Sequence, residues 1–303
     1  MCWWKRYGPS SDRSAENLEQ KETMAMTRLG IIGLGDMGGA IAEGVLTGQW
    51  DDEVTVVGYD ISAEALDRFT ELGGTPAASV GDLARQVDLV AVVVIDDAQV
   101  RQVCQSDDGA IAGAAESGAL VAVHSTVLPA TVIELAAEAA EAGVALIDAP
   151  VTGGTPSARS RDLVVFCGGD EAHTEQGRPH FERYGGMVVN VGPLGSALKA
   201  KVARNLISYV EFAVAYEAIA LAAAAGVDLK AFAEIVTYSD RNIGPHLGVF
   251  TRPIVYPPPA MGGSFAQIAH KDLRGALALG EELGVDLPIT GLVDGNIDAA
   301  FGE

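Results

Sequence analysis

The chain of 303 residues has little cysteine, little positive charge, few aromatics and no long apolar run. Its three cysteines, Cys2, Cys104 and Cys167, are too few and too scattered for a disulfide framework or a metal-binding knuckle, so no metal centre is expected. That usage suits a reducing compartment, and a cytoplasmic location is the expectation. Lys+Arg number 20 against 41 Asp+Glu, a formal net charge of −21. A field of that sign repels nucleic-acid phosphates and anionic lipid, which argues against nucleic acid or membrane surface as a partner. An anionic ligand must then be caught by a local cluster of positive groups. No apolar stretch approaches the roughly 18 residues that a membrane span needs. Aromatics are only 6% of the chain, but 49% of it is hydrophobic and 20% charged, the balance of a folded globular protein with a mainly aliphatic core.

The first 26 residues are polar, with four basic and four acidic side chains and no apolar core of signal-peptide length. They are expected to be a disordered extension, or an artefact of an early start codon, with Met24 or Met26 as the true start. The ordered chain is expected to begin at Thr27. From there apolar strands alternate with helical patterns: Leu29–Gly33, Val54–Tyr59, Val87–Ile95, Leu120–Val123, Val144–Ile147, Leu163–Phe166 and Met187–Val191 read as strands. Residues 87–95 are almost wholly aliphatic, as a strand buried on both faces would be. This predicts an α/β Rossmann-type doubly wound sheet over residues 27–192. After Gly192 the texture becomes helical, with a proline-free run from Ser196 to Ala225 that ends at Gly226, and further helical patterns at Leu229–Val236, Phe265–Leu283 and from Pro288. An all-α C-terminal domain over 193–303, entered through one long helix, is the expectation. The Pro-rich stretch Ile254–Gly263 reads as a loop.

The turn Gly33-Leu34-Gly35-Asp36-Met37-Gly38 follows the first strand and opens a helix. Gly33 permits a tight turn, Gly35 lets the backbone approach a pyrophosphate, and Gly38 allows close helix packing. The free N–H groups and positive dipole end of the helix then face the phosphates. Asp60 ends the second strand, 22 residues after Gly38. A carboxylate there can accept hydrogen bonds from both ribose hydroxyls and repels a 2′-phosphate, which favours NAD over NADP.

Four further segments carry a resemblance. They are His124-Ser125-Thr126 with Pro129; Asp148-Ala149-Pro150-Val151-Thr152-Gly153-Gly154; Gly192-Pro193-Leu194-Gly195-Ser196 followed by Lys201 and Asn205; and Lys271-Asp272-Leu273. Together with the glycine turn, and in this order, they resemble the β-hydroxyacid dehydrogenase family, which includes 3-hydroxyisobutyrate dehydrogenase and 6-phosphogluconate dehydrogenase. The resemblance spans Leu29 to Thr290. It implies an NAD-dependent oxidoreductase acting on a small anionic β-hydroxyacid such as 3-hydroxyisobutyrate, assembled as a homodimer or homotetramer. It implies a cofactor site at Gly33 to Gly38, Asp60, Thr126 and Lys271, a substrate loop at Thr152, Gly153 and Gly154 with Ser125, and a catalytic Lys201 with Asn205. The chain departs from the family pattern at His124, Thr152, Arg204, Ser157 to Arg161 and Ile95-Asp96-Asp97, and it stops earlier at its C-terminus.

The chemistry of these residues supports the resemblance. Lys201 and Asn205 stand four apart on one helix and share a face. Oxidising a hydroxyl needs a hydride acceptor and a base for its proton. A lysine can be that base where burial and a cationic nicotinamide lower its pKa towards neutrality. A solvent-facing lysine is the ordinary alternative, and the apolar neighbours Val202, Leu206 and Ile207 leave room for both. Thr152-Gly153-Gly154 offers a hydroxyl and backbone N–H groups to a carboxylate, or is a plain turn. Ser125 and Thr126 follow a strand end, where ligands bind in open α/β sheets, or cap the helix that follows. Lys271 can touch cofactor or substrate anion, or pair with Asp272 at the rim. Arg204, Arg241 and His246 are candidate substrate-anion contacts outside the family pattern, with a surface or structural role as the favoured reading of each. Two other readings are an imine reductase-like enzyme, against which Lys201 argues, and a non-catalytic dinucleotide-binding module.

Overall fold

The computed structural model describes residues 27–50, 53–243 and 264–296. The first 26 residues, His246 and the Pro-rich stretch lie outside the described residues. The chain divides into two compact units, Met1–Ala203 and Arg204–Glu303.

In the first unit strands and helices alternate: β1 (Thr27–Ile32), α1 (Asp36–Leu46), β2 (Val54–Tyr59), α2 (Ala63–Glu71), β3 (Thr75–Pro76), α3 (Val80–Arg85), β4 (Leu89–Val92), α4 (Asp97–Gln105), α5 (Ala110–Ser117), β5 (Leu120–Val123), α6 (Pro129–Glu141) and β6 (Leu146–Asp148). These strands lie in the order β3-β2-β1-β4-β5-β6, all parallel, which is the doubly wound arrangement expected. Then come β7 (Val151–Thr152), α7 (Gly154–Arg159), β8 (Leu163–Gly168), α8 (Glu171–Phe181) and β9 (Gly185–Gly192). Here the uniform alternation stops: β8 runs antiparallel to β6 and β7, and β9 is parallel to β8. The segment between Thr152 and Leu163 allows an antiparallel return, whereas a parallel crossover takes about a dozen residues or more.

The aliphatic strands explain themselves once placed. Along β4 and β5, Leu89, Ala91, Leu120 and Ala122 join Ile41, Phe69 and Phe181 in one core. Val90, Val92, Val121 and Val123 join Leu83, Val100 and Val132 in the core on the opposite face. Both faces are covered by helices, so no polar residue alternates in. The strand over 87–95 is shorter than its apolar run, because the chain leaves the ladder after Val92 and puts Ile95 out at 82% exposure. Local signals held elsewhere: Ser62 caps α2, its hydroxyl accepting from the Ala65 N–H at 3.3 Å.

The helix α9 (Ser196–Ala224) begins in the first unit and runs on into the second. Gly226, at φ +73°, ends it as expected. The second unit adds α10 (Leu229–Ile243), α11 (Ser264–Leu283) and α12 (Pro288–Asp294), with no strand among its described residues. The buried Glu217 of α9 caps α12, accepting from Ile289 N–H at 2.6 Å, Thr290 N–H at 2.9 Å and the Thr290 hydroxyl at 2.7 Å. On α11, His270 holds Asp294 through Nδ1–Oδ1 at 2.6 Å.

Candidate active site

The glycine turn sits at the carboxyl end of β1. Gly33 has φ +93°, and a Cβ there would meet the Val93 carbonyl oxygen at 2.4 Å, so only glycine turns the chain here. A Cβ on Gly38 would lie 1.9 Å from the Gly33 carbonyl oxygen, so its absence lets α1 start against the strand end. Gly35, the N-cap of α1, is different: a Cβ there would meet nothing within 4 Å. Leu34 and Gly38 are buried, Met37 is half-buried, and Gly35 and Asp36 face solvent.

Asp60 stands where the sequence put it, just past β2, but it is already engaged. Its Oδ2 accepts from the Leu34 N–H at 2.6 Å and its Oδ1 from the Ser62 N–H at 2.8 Å. It therefore braces the glycine turn, and its remaining lone pairs stay available to hydroxyls. Ile61 and Ile95, exposed at 94% and 82%, follow β2 and β4 and leave apolar surface at the same edge. The open approach at Gly35, the unpaired first turn of α1, a carboxylate beside the turn and flanking apolar surface together fit a dinucleotide.

Residues 124 to 126 follow β5. The Ser125 hydroxyl donates to the Val94 carbonyl at 2.8 Å and accepts the Val94 N–H at 2.9 Å, so it ties β4 to β5. Thr126 is exposed. Neither caps α6, whose N-cap is Leu128 with Pro129 opening the helix. Two departures from the family pattern acquire structural reasons nearby. Asp96 caps α4 by accepting from Gln99 N–H at 2.9 Å, and Asp97 accepts from the Leu128 N–H at 3.1 Å and from the Thr131 hydroxyl. The segment that carries Thr126 is thereby fastened to α4. Beneath it, His124 is buried with its Nε2 2.7 Å from the Tyr184 hydroxyl. Burial pushes the imidazole down to about 4, against a smaller upward pull from the Ala149 backbone. The ring is therefore neutral and shares one hydrogen bond with the tyrosine, whose own ionisation burial pushes well up.

The segment from Asp148 to Gly154 leaves β6, passes Ala149 and Pro150 and re-enters the sheet as β7. Thr152 is buried; Gly153, at φ +131°, and Gly154, at φ +75°, are exposed. The helix α7 that follows lies against α1, close enough that a Cβ on Gly44 would meet the Ala158 carbonyl at 2.4 Å. Arg159 adds an ion pair to Glu43 at 2.8 Å, which explains one further departure from the family pattern. The loop after β6 and the helix after the glycine turn are thus one packed body.

Lys201 is buried, at 9% exposure, on the stretch of α9 whose preceding turn presents the fully buried Ala197 and Leu198. The solvent-facing alternative for this lysine is set aside. Asn205, one turn further along α9, is half-buried, and Arg204 is exposed. Lys271 lies on α11; its side chain, like those of Asp272 and Arg241, lies outside the described residues. The role that sequence reasoning missed belongs to Asp148. It is fully buried, and its carboxylate accepts from the Gly195 N–H at 2.8 Å and the Leu198 N–H at 2.9 Å. Burial raises its pKa, while the Leu198 and Gly195 N–H groups pull it back. An acid closing the apolar strand Leu146-Ile147 was the available signal, since a carboxylate there must find donors.

Residues 28–192 match the family model described as the NAD binding domain of 6-phosphogluconate dehydrogenase. Residues 195–301 match that of the NAD-binding domain of NADP-dependent 3-hydroxyisobutyrate dehydrogenase. An uncharacterised oxidoreductase of Mycobacterium tuberculosis is 36% identical over 281 residues, covering 91% of this chain and 93% of its own. An NAD-dependent L-serine dehydrogenase of Pseudomonas aeruginosa is 33% identical over 258 residues, 82% of this chain and 83% of its own. Among solved structures, an oxidoreductase of Mycobacterium avium superposes with a TM-score of 0.77 at 34% identity, covering 90% of this chain and 98% of that one. An imine reductase of Myxococcus stipitatus reaches a TM-score of 0.74 over 91% of this chain and 94% of its own, but at 20% identity the likeness is one of fold alone. Two family models in tandem over almost the whole described chain, and the glycine turn, strand-end loops and buried lysine that they bracket, place this protein in the β-hydroxyacid dehydrogenase family of NAD(P)-dependent oxidoreductases.

Proposed function

We propose that the protein oxidises a small anionic β-hydroxyacid of the 3-hydroxyisobutyrate type, prefers NAD to NADP, and uses Lys201 as its acid/base group. The observation that carries this is the burial of Lys201 on the helix that Asp148 anchors, at the position where the family resemblance expects the acid/base lysine. The nicotinamide, when bound, supplies a hydride acceptor. The substrate C–H bond breaks with its electron pair leaving as hydride, the O–H proton passes to the Lys201 amine, and the carbon–oxygen bond becomes a carbonyl. In reverse the ammonium protonates the forming alkoxide. Asn205 holds the hydroxyl or carboxylate from the next turn of α9. Thr152, Gly153 and Gly154 receive the carboxylate and Thr126 meets the cofactor, and the family resemblance implies a cofactor role for Lys271 as well.

Asp60 supports the preference for NAD, since a carboxylate at a ribose position repels a 2′-phosphate. The name of the L-serine dehydrogenase relative points the same way for both cofactor and substrate class. The reading extends to a homodimer or homotetramer, supported by Val210, Val214, Tyr216 and Ile219, large apolar residues exposed along α9.

The test is a panel of hydroxyacids with NAD, followed by NADH absorbance, together with Lys201→Ala. Loss of the acid/base step is expected to lower kcat by roughly 10²- to 10⁴-fold. Turnover that survives unchanged in this variant refutes the role of Lys201, and failure across the panel refutes the substrate class.

A further inference from the structure

Asp148 and Gly168 face each other across the antiparallel pair of β6 and β8. A Cβ at position 168 would lie 2.3 Å from Asp148 Oδ1, so the space that the carboxylate fills exists because residue 168 is glycine. From that slot the two carboxylate oxygens reach different amides of the start of α9, Gly195 on one and Leu198 on the other. The partners are 47 and 50 residues away in sequence. A cap supplied by the residues just ahead of a helix would stabilise its first turn equally well, but it would leave the helix free to shift as a body. A cap supplied from the sheet also sets where the helix stands.

The two things that Asp148 joins are the two halves of the proposed substrate site. Four residues after it comes Thr152, at the head of the Gly153-Gly154 turn. Three residues after Leu198 comes Lys201, about 4.5 Å further along the helix axis. The N-terminal amides of α9, which have no acceptor within the helix itself, also carry a partial positive charge that a carboxylate offsets. A misplacement of about 1 Å between a reacting group and its partner can cost on the order of 10²-fold in rate.

We infer that Asp148 is a positioning residue for the reaction: by holding the first turn of α9 to the end of β6, it sets Lys201 at reacting distance from a substrate bound on the Thr152-Gly153-Gly154 turn. This rests on Lys201 being the acid/base group.

Asp148→Asn keeps the volume and one acceptor oxygen, and sets an amide N–H against a backbone N–H. We expect kcat to fall about ten- to hundredfold, with the NADH Kd from fluorescence titration unchanged within about twofold, because the glycine turn is untouched. The decisive measurement is a double-mutant cycle. In the Lys201→Ala background, Asp148→Asn should cost less than about threefold, because no amine is left to misplace. An equal fold loss in both backgrounds overturns the proposal, as does a wild-type kcat accompanied only by a lower Tm. Wild-type turnover by Lys201→Ala alone instead overturns the acid/base reading itself. Should Asp148→Asn fail to fold, Gly168→Ala carries the same test, since its methyl would overlap Oδ1 and displace the carboxylate while keeping its charge.

Discussion

Gly35→Ala separates a glycine kept for folding from one kept for a ligand. Gly35 is in an extended conformation, φ −66° and ψ −160°, that alanine also adopts, and its Cβ would enter open space. Replacing a glycine at such a position narrows the unfolded ensemble and stabilises by roughly 0.4–1 kcal/mol. Against that, alanine is a poorer N-cap than glycine, at a cost of about 1 kcal/mol or less. The two effects nearly cancel, so Tm should stay within about 4 °C of wild type for a chain of this size. If the open space is where a pyrophosphate meets the backbone, the methyl obstructs it. NADH affinity should then fall at least about tenfold, equivalent to about 1.4 kcal/mol. Gly38→Ala is the contrast: its methyl would lie 1.9 Å from the Gly33 carbonyl oxygen, so the turn itself must move, and Tm and affinity should fall together. Circular dichroism melts and NADH fluorescence titrations measure both quantities on both variants. A Gly35→Ala protein that binds NADH as wild type does would refute the assignment of this turn to the cofactor.

Asp60→Asn retains an oxygen for the Leu34 N–H but removes the charge that disfavours a 2′-phosphate. The ratio of kcat/KM for NAD over NADP should fall by about tenfold or more, and an unmoved ratio would remove Asp60 from the specificity argument. His124 should make stability depend on acid. Its native value, pushed down to about 4, lies below the ordinary 6.5, so as pH falls through that window the unfolded chain takes up a proton that the folded one refuses. Its contribution is present above about pH 6.5, is lost progressively towards about pH 4, and amounts to roughly 3 kcal/mol. Urea melts of wild type and His124→Gln across that range should diverge in pH slope, the other titrating groups being common to both; parallel slopes would contradict the burial argument.

Much of the site was legible because its signals are local. A turn that needs φ > 0 at Gly33 and tolerates no Cβ at Gly38 is written as glycines wherever it occurs. A strand buried on both faces reads as the unbroken aliphatic run around Leu89 to Val92. Ser62 announces a helix start through one hydroxyl and one N–H three residues on. The pairing of Lys201 with Asn205 follows from helical spacing.

What only the tertiary structure decided concerns partners remote in sequence. The antiparallel return of β8, the commitment of the Ser125 hydroxyl to Val94 and the bracing of the glycine turn by Asp60 depend on strands that meet only after folding. Whether Lys201 lay in solvent or inside could not be read from neighbours that were themselves ambiguous; burial is a property of what packs on a face, not of the face. Asp148 shows the same limit most plainly. Its own segment says only that a carboxylate ends a buried strand, and the amides that satisfy it belong to a helix that begins 48 residues later.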